Sequence, residues 1–281
     1  MMFSKLANRT ALVTGASQGI GRAIARRLAA HGARVVVSAS GRAPDLLDET
    51  CGLIAAQGGT AAPLLADLSD QCARADIIHR AEQLFGPLDI LVNNAALVGA
   101  YAPPSKIDLA ARHAAFEVNF EAPVDLMQQV LPGMRERSWG RILNISSETV
   151  KQPPPPYVGP PKMIHALVAY GASKAALNRY SAGLAAELHG SGVHVNAVAP
   201  YKIAWSENAD QIARATLAFR PDWVEGVEMM AEAAYILISG NHTGFIGTSR
   251  EALYLNQTPL HGLDGETVLG DASTLVTGNG G

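Results

Sequence analysis

The sequence predicts a doubly wound α/β fold, a Rossmann-type parallel sheet in three layers and a single domain, and three observations carry that expectation. Short β-branched runs recur at Thr10–Val13, Arg34–Val37, Ala62–Leu65, Ile90–Val92, Arg141–Ile145 and Val193–Val198. Longer stretches of helical period lie between them, as at Ile24, Ala25, Leu28 and Ala29. A glycine-rich loop follows the first run and leads straight into the first helix. Strand and helix alternating at this spacing imply parallel strands with crossover helices on both faces.

Composition narrows the classes. The 281 residues are 48% hydrophobic and 17% charged, enough for a real core and too little charge for disorder. A net charge of −3 argues against nucleic acid as partner and lends no support to an anionic membrane surface. No apolar run reaches the roughly 18 to 20 residues of a membrane helix. Met1–Asn8 lacks the apolar stretch of a signal peptide, so a soluble, cytoplasmic protein is expected. Cys51 and Cys72 are too few for a disulfide framework or a four-thiolate zinc site, and no metal is expected.

The first strand ends in Thr14-Gly15-Ala16-Ser17-Gln18-Gly19-Ile20-Gly21. Glycines there allow a tight turn and close approach of backbone to a pyrophosphate, while the helix N-terminus presents free N–H groups. The second strand ends Ser38-Ala39-Ser40-Gly41-Arg42, without the acid that accepts from a ribose 2′-hydroxyl in NAD sites. Hydroxyls and a guanidinium suit a 2′-phosphate, so NADP(H) is favoured and NAD(H) is the alternative. Asp45 follows Pro44 and reads as a helix-start residue. Gln18 stands where a basic residue would strengthen the NADP reading.

Of the seven tyrosines only Tyr170 has a lysine, Lys174, four residues on, hence on the same helix face. An ammonium there is expected to lower the phenol's pKa, as an acid/base near neutral pH requires. Tyr157 is excluded as that base, because Pro160 and Pro161 would break any helix carrying its partner. Pro123 lies four residues after Asn119 and lacks an N–H, which leaves the Asn119 carbonyl without its helical donor and open to a water.

Taken together, Thr14–Gly21, Asp67-Leu68, Asn93-Asn94-Ala95, Asn119, Asn144–Ser147, Tyr170–Lys174 and Asn196–Pro200 stand in one order over Thr10 to Pro200. In that order they resemble the motifs of the short-chain dehydrogenase/reductase family. The resemblance implies a hydride-transferring oxidoreductase with Asn119, Ser147, Tyr170 and Lys174 as catalytic residues. Ser147 would donate to the substrate oxygen, Tyr170 would exchange its proton, and Asn119 would hold a relay water for Lys174. Lys174 would also hold the nicotinamide ribose. The dinucleotide would lie on Gly15, Ser17, Gln18, Gly19, Ile20 and Gly21, then on Ser40 and Arg42. Asp67 and Leu68 would meet the adenine, Asn94 and Ala95 the adenosine ribose, and Pro200 and Ile203 the nicotinamide end.

Two departures from the family bear on substrate. Ser147 and Tyr170 are 23 positions apart, farther than in the family, and the extra length is a proline-rich insertion over residues 150–169. It is expected to wall the substrate site with Tyr157, Val158, Met163, Ile164 and Leu167. After the sixth strand the family's Pro-Gly and later Thr are replaced by Pro200-Tyr201 and Trp205, with Ser206 beside it. Tyr201 and Trp205 suggest an aromatic-lined pocket.

The expected substrate is an apolar secondary alcohol or ketone, cyclic ones included. A 3-oxoacyl-carrier-protein or coenzyme A reductase is the alternative, weakened because Arg179 is the only Arg or Lys between Ala175 and Pro200. A non-catalytic, nucleotide-binding redox sensor is a third reading. Residues 1–260 form the dinucleotide-binding and catalytic domain, and 261–281, rich in Gly and Thr, an irregular extension. Family members pair through the helices bearing Asn119 and Tyr170, so a homodimer or homotetramer is expected.

Overall fold

The computed structural model describes residues 5–99, 101–157, 165 and 167–270. Its centre is a seven-stranded parallel sheet of β1 (Thr10–Thr14), β2 (Arg34–Ala39), β3 (Thr60–Leu65), β4 (Ile90–Asn93), β5 (Gly140–Ile145), β6 (Val193–Ala199) and β9 (Ile246–Thr248). The strand order is β3-β2-β1-β4-β5-β6-β9. All six expected strand runs are present in this sheet. Pro63 is tolerated because β3 is an edge, where its missing N–H breaks no ladder on the open side.

Both faces of the sheet are covered, which explains why its strands read as nearly unbroken apolar runs. Alternation sends Ala11, Val13, Val35, Val37, Ile90 and Val92 into one core. That core packs on α1 (Gly19–Ala30), α2 (Asp45–Ala56), α8 (Val227–Ser239) and α9 (Ser249–Asn256). Leu12, Val36, Leu91 and Ile142 point the other way. They meet α3 (Gln71–Phe85), α5 (Ala122–Glu136) and α6 (Val168–Glu187). A short α4 (Leu109–Phe116) and a π turn (Glu117–Glu121) lead into α5. No helix among the described residues is long and apolar enough to cross a membrane.

The chain runs from β1 outward to β2 and β3, then crosses to β4 on the other side of β1. That reversal opens a crevice at the carboxyl ends of β1 and β4, where ligands of such sheets bind. After β6 a small outlying pair, β7 (Ile203–Trp205) and β8 (Val224–Gly226), is joined through α7 (Asp210–Leu217).

The expectation of an irregular extension from residue 261 is corrected over its described part. β10 (Leu260–His261) and β11 (Val268–Gly270) form an antiparallel pair. The anchor is a buried ion pair between Arg27 of α1 and Glu232 of α8, 2.7 Å apart with both side chains 1% exposed. Arg27 also donates to the His261 carbonyl at 2.9 Å, and the His261 N–H donates to Glu232 at 3.2 Å. Periodicity cannot reveal such a pin, since its partners lie far apart in the chain. Residues 271–281 lie outside the described residues.

Glu232→Ala leaves the Arg27 guanidinium buried without its carboxylate, a change that costs about 3 to 5 kcal/mol. We expect denaturant unfolding to show that loss. A change below about 1 kcal/mol would show that water reaches Arg27 readily.

Candidate active site

The glycine loop lies at the crevice, and its packing is tight. A Cβ on Gly21 would sit 2.3 Å from the Gly15 carbonyl oxygen, so any side chain there forces β1 and α1 apart. Asn94, at the end of β4, donates to the carbonyls of Thr14 (2.9 Å) and Gly15 (3.0 Å). The Thr14 hydroxyl accepts from the N–H groups of Asn94 (3.0 Å) and Ala95 (3.1 Å). These bonds lock the first and fourth strand ends together.

A cleft of about 640 Å³ extends from this lock. Gly15, Ser17, Gln18, Gly19, Ile20 and Gly21 line it, with Ser40 and Arg42 from the end of β2. Asp67, Leu68, Asn94 and Ala95 complete the wall. Ser69 donates twice to Asp67, and with a smaller pull from Arg42 this holds the carboxyl below its ordinary value. Arg42 itself is exposed and has no hydrogen-bond partner among the described residues. A cradle of glycine backbone at a helix N-terminus, a free guanidinium and no acid at the end of β2 fit a dinucleotide carrying a 2′-phosphate.

Farther along the same sheet edge stand Ser147, Tyr170, Lys174 and Asn119. Ser147 follows β5 and caps a short 3-10 turn, Glu148–Val150. Its Oγ accepts from the Thr149 N–H (3.2 Å) and hydroxyl (2.9 Å), which leaves its own proton to donate outward. Tyr170 lies near enough for Ser147 to favour its phenolate. Ser146 is buried, and its hydroxyl has no partner among the described residues. Gly171 brings the pair together, because a Cβ there would lie 2.3 Å from the Thr149 carbonyl oxygen. Sequence reasoning missed it, although its place directly after Tyr170 was a usable signal.

Asn119 is wholly buried in the π turn, whose closing bond runs from the Ala122 N–H to the Glu117 carbonyl. Its side chain brackets Leu97, accepting from the N–H at 2.8 Å and donating to the carbonyl at 2.9 Å. It also donates to Ser173 of α6 at 3.0 Å. The wider turn and the missing N–H of Pro123 together leave the Asn119 carbonyl without an ordinary helical donor.

A family profile described as short chain dehydrogenase matches residues 9–216. The chain belongs to the short-chain dehydrogenase family. It is 39% identical over 194 residues to a short chain dehydrogenase of Pseudocercospora fijiensis, covering 67% of this chain and 58% of that one. It is 35% identical over 197 residues to the ketoacyl reductase HetN of a Nostoc species, covering 69% and 63%. The chain thus spans less than two-thirds of the length of these relatives. A crystal structure of a 3-oxoacyl (acyl-carrier-protein) reductase from Agrobacterium tumefaciens with NADP bound superposes with a TM-score of 0.76. That pair shares 34% identity over 88% of this chain and 95% of the other.

Several short-chain-dehydrogenase expectations need correction. The Tyr170 phenol is not lowered on balance; burial pushes it up, opposed in part by Ser147. The Lys174 ammonium is 6.0 Å from the Tyr170 ring centre and donates to the Ile145 carbonyl at 2.7 Å. A buried cation without a carboxylate turns to the nearest carbonyl. Trp205 does not join the substrate side. Its indole donates to Asp210 at 2.9 Å and its ring meets Arg214, lining a separate groove with Arg22 and Arg26.

Tyr157 is 60% exposed. Val158, Met163 and Ile164 lie outside the described residues. Pro200 and Ile203 are not among the residues lining the dinucleotide cleft, and Ile203 pairs with Val224 in the outlying strands.

Counting cations between Ala175 and Pro200 also missed a cluster drawn from other segments. Arg250 stacks on Tyr201 at 4.1 Å and Arg220 on Trp223 at 4.3 Å. Lys202 lies 5.7 Å from both rings. Its ammonium and that of Lys151 pinch Glu148, next to Ser147, at 2.7 and 3.1 Å.

Burial alone pushes Lys174 down to about 8. Holding it charged at pH 7 therefore costs the fold about 3 kcal/mol. The unfolded chain keeps this proton up to its ordinary value near 10.5, so stability at this site rises as pH climbs from about 8. Lys174→Met should raise Tm at pH 7 while the gap to wild type closes by about pH 10. Calorimetry at both pH values checks this; a lower Tm at pH 7 would mean the Ile145 hydrogen bond outweighs the cost.

Proposed function

We propose that this protein is an NADP(H)-dependent oxidoreductase that interconverts a secondary alcohol and a ketone. The observation that carries this reading is the meeting of Ser147, Tyr170, Lys174 and Asn119 on the sheet edge that also bears the glycine cradle. A non-catalytic sensor has no use for a serine oriented as donor towards a half-buried tyrosine beside a buried lysine. The NADP seen in the superposed reductase supports the choice of dinucleotide, as do Ser40 and Arg42 at the end of β2.

Gly15, Gly19 and Gly21 would seat the pyrophosphate, with Ser40 and Arg42 on the 2′-phosphate and Asp67 at the adenine. The nicotinamide, when bound, supplies or accepts the hydride. Ser147 donates to the substrate oxygen and holds it beside Tyr170. Tyr170 gives its phenolic proton to that oxygen in reduction and takes it back in oxidation. A lysine whose pKa burial has already moved to about 8 is poised to return the proton to Tyr170. The Asn119 carbonyl would hold the water that replenishes Lys174.

For substrate, we favour an apolar ketone, cyclic ones included, on the strength of Leu167 and Tyr201 flanking the catalytic elements. A second reading, reduction of 3-oxoacyl thioesters, is favoured by Lys202 and Arg250 at Tyr201, Arg220 at Trp223 and Lys151 at Glu148, cations that suit an anionic carrier. Self-association would use α5 with the π turn before it and α6, where Phe120 of that turn meets Tyr180 edge-on at 6.0 Å, giving a homodimer or homotetramer. A cytoplasmic location is part of the same proposal.

Calorimetric titration should show NADPH binding at least about tenfold tighter than NADH, about 1.4 kcal/mol. The reverse preference would overturn the reading of the β2 end. With NADPH as reductant, cyclohexanone and acetoacetyl coenzyme A separate the two substrate readings. On whichever is reduced, Tyr170→Phe should keep dinucleotide affinity and lose at least about a hundredfold in kcat. Retained turnover would remove Tyr170 as the acid/base.

A further inference from the structure

The turn after β7 lies against the glycine loop. The Glu207 carboxylate accepts the Gly19 N–H at 2.9 Å and faces Arg22 at 3.5 Å. The Gln18 amide donates to Asn208. Ser206 sits over Gly19, so that a Cβ on Gly19 would come within 3.2 Å of the Ser206 Cβ. Three successive residues of the turn thus touch the first residues of α1.

The first turn of a helix offers N–H groups without helical acceptors. The Arg22 backbone N–H already donates to the Gln18 carbonyl at 3.2 Å, which leaves the N–H groups of Gly19, Ile20 and Gly21. Gln18, at the N-cap, makes no side-chain cap bond. Glu207, from 188 positions away, supplies the missing acceptor and a negative charge at the positive end of the helix. A dinucleotide's diphosphate seeks the same donors and the same field.

We propose that Glu207 is an internal anion that weakens dinucleotide binding by occupying and charging the diphosphate end of the glycine loop. This rests on the dinucleotide reading above. The carboxylate is 53% exposed, so it can leave Gly19 by a side-chain rotation into water. While it stays, its charge opposes the diphosphate at short range. Entry of the dinucleotide therefore releases the turn at 206–209, and the residue sets the affinity of the site without touching the reacting atoms.

Glu207→Gln isolates the charge, because the amide oxygen can still accept from Gly19. Titration with NADPH at about 0.05 M salt should show the variant binding about tenfold tighter than wild type. At about 0.5 M salt the gap should shrink, since added ions screen this half-exposed charge. Glu207→Ala should bind more tightly as well. Glu49→Gln is the control, because Glu49 also pairs with Arg22, at 3.1 Å, but does not bond the glycine loop; its affinity should stay near wild type.

Equal or weaker binding by Glu207→Gln at low salt overturns the proposal, as does equal tightening by Glu49→Gln. Absence of binding to NADPH and NADH by all four proteins would instead remove the dinucleotide reading, and the proposal with it.

Discussion

At the crevice between β1 and β4 the backbones approach so closely that a single methyl group has no room. Gly21 rests on the Gly15 carbonyl, and Asn94 ties that carbonyl to the end of the fourth strand. The rest of the site is hung from this contact by buried amide side chains. Asn93 donates to Asn144 at 2.8 Å, linking β4 to β5, and Asn144 donates to Ser181 of α6 at 2.8 Å. Asn119 joins the π turn to the loop at Leu97 and to Ser173 of α6. The helix that carries Tyr170 and Lys174 is thereby registered against the strands that carry the glycine loop and Ser147. Buried amides suit this task because each makes several directional bonds that an apolar contact cannot replace.

The same helix bears an electrostatic load. Lys174 is enclosed without a carboxylate, and the only bond it makes among the described residues is to a carbonyl. An ion pair would relieve it but would also raise its pKa and fix its proton. Isolation brings the lysine's hold on its proton closer to neutral pH, which suits the proton relay proposed for it. Arg27 shows the other solution. It is equally buried, has Glu232 as partner, and pins the carboxyl-terminal strand pair rather than exchanging protons.

Legibility in the sequence followed range. The strands, the glycine loop, the end of β2 and the Tyr170–Lys174 pair are local patterns of period two, period 3.6 or fixed spacing, and each lies where those patterns put it. The choice of Ser147 rests on the family resemblance. What escaped was tertiary. The pull of the Ile145 carbonyl on Lys174, the cations gathered from residues 151, 202, 220 and 250, and the Glu232 anchor all join segments that no window of sequence brings together. The π turn was half visible, since Pro123 announced a missing donor but not the wider turn that accommodates it.

Trp205 shows why one substituted position can mislead. It stands near the place where the family resemblance implies a threonine, yet here its neighbour Ser206 lines the cleft while the indole faces Asp210. β7 makes this unavoidable. Ala204 is buried beneath the strand, and Ile203 and Trp205 occupy the opposite face. Holding Trp205 outward carries Ser206 over Gly19 and delivers Glu207 to the helix terminus directly after it. A large side chain at the threonine position therefore changes the chemistry next to the glycine loop through backbone register. The Glu207 carboxylate delivered by this register accepts the Gly19 N–H, the donor for which we propose that it competes with the dinucleotide.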